Sequence, residues 1–280
     1  MTTATSDPTI ALVREALQED APDGDLTSTL LVPADAVLTA ELRAKQDGVL
    51  AGTAPASLVF AIVSQQDALG AIGCQWRRAD GDRVANGDVL ATITGPARSI
   101  LRAERLAVNL LSHLSGVATL TRAFVDAAAP AQVLCTRKTL PGLRALEREA
   151  VLAGGGMLHR ASLSDAVLIK DNHLTVAGSI TEAVSRARGA GVPVEVEVET
   201  LEELDEALEA GAERILLDNP TPELVGAAVV RVGDPDRLEV SGGVTLDRIG
   251  AFTAAGARWI SVGRITHSAP SLDVSLEVVS

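Results

Sequence analysis

A chain of 280 residues can bury a sizeable core in one large domain or two smaller ones, and its 24 lysines and arginines stand against 37 aspartates and glutamates, a formal net charge of −13. That acidity repels nucleic acid and anionic membranes and excludes both as expected main partners, while leaving room for a local cationic pocket that takes an anionic small molecule. With 47% hydrophobic residues but no Tyr, two Trp and three Phe, the core must be aliphatic, which favours α/β packing.

In chain order, the start "MTTATSDPTIALVREALQED" lacks a basic segment and an apolar signal core, and no later apolar run reaches membrane-spanning length, so a cytoplasmic protein is expected. "DPTIALVREALQED" has helical apolar spacing with Pro8 in its first turn. "AVLTAELRAKQDGVLAG" alternates like strands around a turn, and "APASLVFAIVSQQ" is helical again. "WRRADGDRVANGDVLATITG" reads as short strands punctuated by Asp-Gly and Asn-Gly turns. The stretch from Pro96 to Ala129 is a long helix, with a break expected near Gly116, that joins two halves. The two cysteines, Cys74 and Cys135, have no metal-type spacing and imply no disulfide framework.

From about residue 130 the pattern becomes a repeat. Six β-branched runs, "AQVLC", "AVLIK", "PVEVEVE", "RILLD", "LEVSGG" and "RWISVGR", alternate with helical segments, the signature of a parallel sheet. The polar residues ending the later runs, Lys170, Glu197, Asp218, Ser241 and Gly263, mostly recur at roughly the length of one βα unit. Closure into a barrel of about seven strands would gather them on one face; an open doubly wound sheet is the alternative.

Those strand ends set the candidate chemistry. The acidic chain concentrates Arg137, Lys138, Arg144, Arg148, His159 and Arg160 between Thr136 and Arg160, with three glycines just before Leu158 separated from them only by Met157. Loop arginines and lysines are ordinarily solvated, but at strand C-termini they suit an anionic ligand. Lys170 either extends to solvent or turns its ammonium into the barrel mouth, to hold an anion or form a Schiff base. His173 is read as a capping or packing residue. Glu195, Glu197 and Glu199 share a face, so which of them reaches the site is open; with Asp218 they could bind Mg²⁺, accept ribose hydroxyls or pair with cations. "SGG" (Ser241, Gly242, Gly243) and "VGRITHS" (with Gly263 and His267) are placed to cradle phosphate through backbone N–H groups.

Taken together, "EDAPDGDLTS", "DGVLAG", "GPARSILRAERLAVNLLSHLSGVATLT", "TRKTLPGLRALE", "GGG", "HR", "LIKDNH", "VEVEVETLEEL", "ILLDN", "SGG" and "VGRITHSAPSLDVSLE" resemble the quinolinate phosphoribosyltransferase family across nearly the whole chain. The resemblance implies an N-terminal α/β domain, residues 1–115 with the connecting helix, and a C-terminal α/β barrel of about seven strands, residues 116–280, the last of which are free to pack back on the first domain. It implies transfer of phosphoribosyl from phosphoribosyl pyrophosphate to quinolinate with decarboxylation in NAD biosynthesis, with Mg²⁺, in a homodimer with shared sites. Quinolinate would meet Arg105 of a neighbouring subunit, Arg137, His159, Arg160 and Lys170. Lys138 would lie by the second substrate, Glu197 and Asp218 would serve ribose and metal, and Ser241, Gly242, Gly243, Gly263 and His267 would hold phosphate. Lys138, Lys170, Glu197 and Asp218 are the expected catalytic set. The chain departs from the family pattern in three places: Cys135 stands where Asp is usual, Leu158 where Asn is usual, and the helix lacks the usual aromatic near "EREAV", so a relative acting on a different pyridine or pyrimidine carboxylate is the alternative.

Overall fold

The structure, a computed structural model, describes residues 8–280. The expected helix start at Asp7 and the signal-segment reading of residues 1–7 lie outside them. In chain order the first elements are α1 (Pro8–Asp20), α2 (Leu26–Leu31), β1 (Val37–Ala44), β2 (Gly48–Val49), α3 (Thr53–Asp67), β3 (Gly73–Trp76), β4 (Arg83–Val84), β5 (Val89–Pro96) and α4 (Ala97–Ala128). They continue with β6 (Gln132–Leu134), α5 (Arg144–Ala153), β7 (Val167–Ile169), α6 (Asp171–Ala177), α7 (Ile180–Ala187), β8 (Val194–Val198), α8 (Leu201–Glu209), β9 (Arg214–Asp218) and α9 (Pro222–Val232). The last are β10 (Leu238–Ser241), α10 (Leu246–Ala254), β11 (Trp259–Ser261), α11 (Arg264–His267) and β12 (Val274–Val278).

The chain divides into two compact units: residues 1–120, 140–154 and 269–280 in the first, and 121–139 and 155–268 in the second. The first unit is built on an antiparallel sheet of order β12-β1-β5-β3, and a two-stranded ribbon pairs β2 with β4. In β1 alternate residues are buried, the mark of a sheet with one covered face. Phe60, Leu42, Leu50, Ile93, Leu111 and Leu114 are fully buried and form its apolar centre. The C-terminal segment belongs here: Leu272 N–H donates to Ser112 O at 2.9 Å, and β12 then pairs with β1.

Helix α4 runs 32 residues without the break expected at Gly116. The glycine has another cause. A Cβ there would lie 2.9 Å from Ser271 Cα and 3.0 Å from Pro270 C, so its bare backbone is what lets the C-terminal segment approach the helix. On the same helix, the adjacent Ser115 Oγ and, a turn further on, Thr119 Oγ1 accept the Ala51 and Val49 N–H groups at 3.0 and 2.8 Å. Buried Glu147 on α5 lies 2.9 Å from His113 Nε2 and accepts Leu140 N–H at 3.3 Å.

The second unit holds a six-stranded parallel sheet of order β6-β11-β10-β9-β8-β7. All six expected runs form these strands. Apart from β6, consecutive strands are neighbours, and the last, β11, returns beside the first, β6. That is the order of a barrel; a doubly wound sheet would reverse direction at a switch point. Met157 adds a one-residue parallel bridge to Leu134 on the other side of β6, the place of a seventh strand. Several helices between the strands begin at side-chain caps: Ser179 accepts Glu182 N–H, Thr200 and Glu203 form a reciprocal box, and Thr221 accepts Leu224 N–H ahead of Pro222. Each such cap stabilises its helix by about 1 kcal/mol.

Strand alternation separates two chemistries. Val196, Ile215, Leu217, Val240 and Ile260 are buried on one face. The intervening residues, among them Leu168, Leu216, Asp218, Glu239, Ser241 and Ser261, line a cavity on the other.

Candidate active site

That cavity, of about 310 Å³, lies in the second unit where the strands end in sequence. Thr136, Arg137 and Lys138 enter it after β6, His159 and Arg160 after the Met157 bridge, Lys170 after β7 and Asp218 at the end of β9. The cationic run is therefore divided: Arg137, Lys138, His159 and Arg160 converge here, while Arg144 and Arg148 belong to α5 in the first unit. Arg160 is pressed from two sides. Partial burial and then the neighbouring Arg137 lower its pKa, while the Glu195 and Asp165 carboxylates act in the opposite direction.

Lys170 turns its ammonium to Glu197, forming an ion pair between the ends of β7 and β8. Both sequence readings hold at once: the lysine faces the cavity, and Glu197 has its salt bridge. His173 does what was expected of it, its Nδ1 accepting Lys170 N–H at 3.0 Å and closing the start of α6. Between Arg160 and β7, Asp165 accepts Ala161 N–H at 2.6 Å and Ser162 N–H at 2.8 Å. The Ser162 hydroxyl and these amides hold its carboxyl well below the usual carboxylate range.

A second cavity, of about 380 Å³, shares Thr136, Lys138, Ser241 and Ser261 with the first and extends over Gly242, Gly243 and Gly263 to His267. The glycines in its wall are there for a geometric reason. Gly242 and Gly243 have φ of +85° and +56°. A Cβ on Gly242 would stand 2.7 Å from Asn219 N. Asn219 is itself left-handed at φ +50°, donating its side-chain amide to Asp218 Oδ2 at 2.6 Å and its N–H to Ser241 O at 2.8 Å. The loops after β9 and β10 are thus interlocked around a non-glycine residue in a costly conformation, a device found at ligand sites. Lys138 lies along Gly263, its Cδ 3.2 Å from where a Cβ would stand, and its carbonyl accepts the Thr266 hydroxyl at 2.6 Å.

Beneath the cations lies a group that only partly showed in the sequence. His159 Nε2 is 3.2 Å from Glu195 Oε2 and 3.4 Å from Glu239 Oε2. Arg214 reaches the same carboxylates, at 3.7 and 3.4 Å, and stacks on Trp259 with its Cζ 5.6 Å from the ring centroid. Ser261 donates to Glu239 Oε1 at 2.5 Å. Glu195 had been one of three glutamates open for the role, whereas Glu239, Arg214 and Ser261 were not singled out. The available signal was a charge at an inward position of an otherwise apolar strand, as in "RLEVSGG". His159, Glu195 and Glu239 bring ligand atoms within 4.8 Å of one another, but Arg214 already supplies these carboxylates with positive charge. Glu197 and Asp218, at the strand ends, have the hard oxygen donors that suit Mg²⁺, which is commonly held by one or two carboxylates with substrate phosphates.

Burial works against a charged His159 ring, while the two carboxylates favour it and draw its pKa upward. The Arg160 N–H points the other way, lying 2.7 Å from His159 Nδ1, a contact that requires a lone pair there. The hydrogen bond decides the tautomer: the proton sits on Nε2, facing the carboxylates.

The remaining expected residues lie outside this group. Arg105 is on the part of α4 that belongs to the first unit, largely exposed, its guanidinium 3.8 Å from Glu104. Cys135 is fully buried and, by alternation, on the aliphatic face with Val133; neither it nor Leu158 lines the cavity.

A parallel barrel with cations, carboxylates and glycine loops at its strand ends defines a site for multiply anionic substrates. The chain belongs to the quinolinate phosphoribosyltransferase family: residues 25–115 match the model "Quinolinate phosphoribosyl transferase, N-terminal domain", and 117–277 that of the C-terminal domain. It is 42% identical over 274 residues to the nicotinate-nucleotide pyrophosphorylase [carboxylating] of Mycobacterium leprae, covering 95% of each chain. It is 41% identical over 272 residues to the probable nicotinate-nucleotide pyrophosphorylase [carboxylating] of Bacillus subtilis, covering 95% of this chain and 92% of that one. The solved nicotinate-nucleotide pyrophosphorylase of Francisella tularensis superposes with a TM-score of 0.89 at 36% identity, over 98% of this chain and 96% of the other.

Proposed function

We propose that the protein transfers phosphoribosyl from phosphoribosyl pyrophosphate to quinolinate, releasing CO₂ and pyrophosphate and leaving nicotinate mononucleotide, as a step of NAD biosynthesis. The observation that carries this reading is the junction of two cavities through Lys138 and Ser241, one cationic and one glycine-walled. A flat dicarboxylate suits the first, because arginine meets planar carboxylates with paired, charge-assisted hydrogen bonds. A phosphorylated sugar suits the second.

In this reading Arg137, Arg160 and Lys170 face the two carboxylates of quinolinate, with His159 between them. The ring nitrogen donates its electron pair to the anomeric carbon as the bond to pyrophosphate breaks and the pair leaves with it. Positive charge grows on the sugar, where Glu197 and Asp218 would stabilise it. Lys138 would neutralise the departing pyrophosphate. Mg²⁺, when bound through Glu197, Asp218 and the substrate phosphates, would supply further charge neutralisation. The carbon–carbon bond to the 2-carboxylate then breaks. The electron pair stays on the ring beside the quaternised nitrogen until a proton replaces CO₂. No protein nucleophile is needed, since orientation and desolvation do the work. We also propose a homodimer in which Arg105 completes the neighbouring subunit's site.

That Cys135 and Leu158 do not line the cavity supports quinolinate over a different acid. The test is release of labelled CO₂ from carboxyl-labelled quinolinate, dependent on phosphoribosyl pyrophosphate. Turnover of nicotinate or a pyrimidine acid, with none of quinolinate, would move the assignment to another member of the wider transferase class.

A further inference from the structure

We infer that Glu239 is a positioning residue for substrate binding: buried beneath the cavity and fixed by Ser261, it holds the His159 ring, and through that ring the backbone of Arg160. The inference rests on the function proposed above and adds residues to it.

Three observations carry it. First, Glu239 is fully buried and lines the floor of the cavity, so an anionic group stands under a pocket for anions. Such a carboxylate is costly to desolvate and repels the proposed ligand. Second, its oxygens are not idle. Oε1 accepts from Ser261 at 2.5 Å, while Oε2 meets His159 Nε2 and Arg214 Nη2, both at 3.4 Å. Glu195 approaches the same Nε2 from the neighbouring side, so the imidazole is held between carboxylates from β8 and β10. Third, the far nitrogen of that imidazole accepts the Arg160 N–H at 2.7 Å. A continuous relay thus runs from Ser261 on β11 through Glu239 on β10 and His159 to the main chain of Arg160. Beyond that point the Arg160 guanidinium donates to Ala166 O at 3.2 Å.

The division of labour follows. Both ring nitrogens of His159 are turned toward protein groups, so the histidine acts chiefly by orienting its neighbour, and the charges offered to the ligand are those of Arg137, Arg160 and Lys170. Arg214 balances the carboxylates from the other side and keeps their field from cancelling that of the cations.

The test is Glu239→Gln, which keeps size and the Ser261 bond but can set an amide N–H against His159 Nε2–H. With thermal unfolding confirming a folded protein, the quinolinate KM is expected to rise roughly ten- to hundredfold, the loss typical of one charge-assisted hydrogen bond. The KM for phosphoribosyl pyrophosphate should stay within about twofold. A quinolinate KM raised less than fivefold, or an equal loss toward both substrates, overturns the inference. Ser261→Ala keeps every charge and serves where the glutamine variant does not fold; there a shift of about threefold, again confined to quinolinate, is expected, and no shift overturns it. A readout independent of turnover is the ¹⁵N spectrum of His159, assigned by His159→Gln. The wild type should carry its proton on Nε2 with Nδ1 hydrogen-bonded, and the Ser261→Ala or Glu239→Gln protein should lose that pattern. Absence of quinolinate turnover in the wild type would reject the proposed function, while the spectrum would still decide the relay.

Discussion

Gly242 shows how much of the site is held by what one residue lacks. Its φ of +85° disfavours any side chain, and a Cβ would press on Asn219, whose own left-handed backbone is pinned by Asp218 and Ser241. Gly242→Ala therefore strains two loops at once, at about 1–3 kcal/mol. Steady-state kinetics should show the KM for phosphoribosyl pyrophosphate rising about tenfold while that for quinolinate changes much less. An unchanged value would remove the glycine wall from the phosphate site. Lys170 and Asp218 were legible in the sequence because each ends a β-branched run, and Arg160 because it follows the glycine triplet with His159. Glu239 was not, because one glutamate between Leu238 and Val240 reads equally as solvated or buried until strand alternation is tied to a neighbouring strand. His159 was found as a cation, but the direction of its two nitrogens depends on Glu195, Glu239 and Arg160 together, which no local pattern encodes.

Among elements, the parallel strands and their helices were the most legible. Their βα spacing, the Thr200/Glu203 box and Thr221-Pro222 each act within a few residues. Pairings remote in sequence were less so. β1 does not pair with β2, the strand across the next turn, but with β5 and, from the far end of the chain, β12. Helix α4 carries the same lesson at Gly116, where local propensity reads a break and the packing demands a bare backbone. In an unpacked helix, Gly→Ala stabilises by up to about 1 kcal/mol. Here the added carbon meets the main chain of Pro270 and Ser271, which cannot rotate aside, and overpacking of this kind costs roughly 1–3 kcal/mol. Gly116→Ala is thus expected to lower Tm by several degrees in a thermal melt. A rise instead would show that the 269–272 segment yields freely and that the close approach is incidental.

For the whole molecule, the outstanding residue is Arg105: exposed in the first unit, paired only loosely with Glu104, and distinct from the cations that gather in the second. The proposed dimer gives that exposed guanidinium a role, because a ligand with two carboxylates can use one more arginine from outside the subunit that binds it. If each site draws Arg105 from one subunit and Lys170 from the other, Arg105→Ala and Lys170→Ala proteins are each inactive alone. A mixed dimer regains one intact site and carries both lesions in its second. After full exchange of equal amounts, half the dimers are mixed, so activity should recover to about a quarter of wild type. Recovery should scale with the mixed fraction, measured by native mass spectrometry on tagged subunits. Exchange without recovery would confine each site to a single chain and leave Arg105 as a solvated charge on α4.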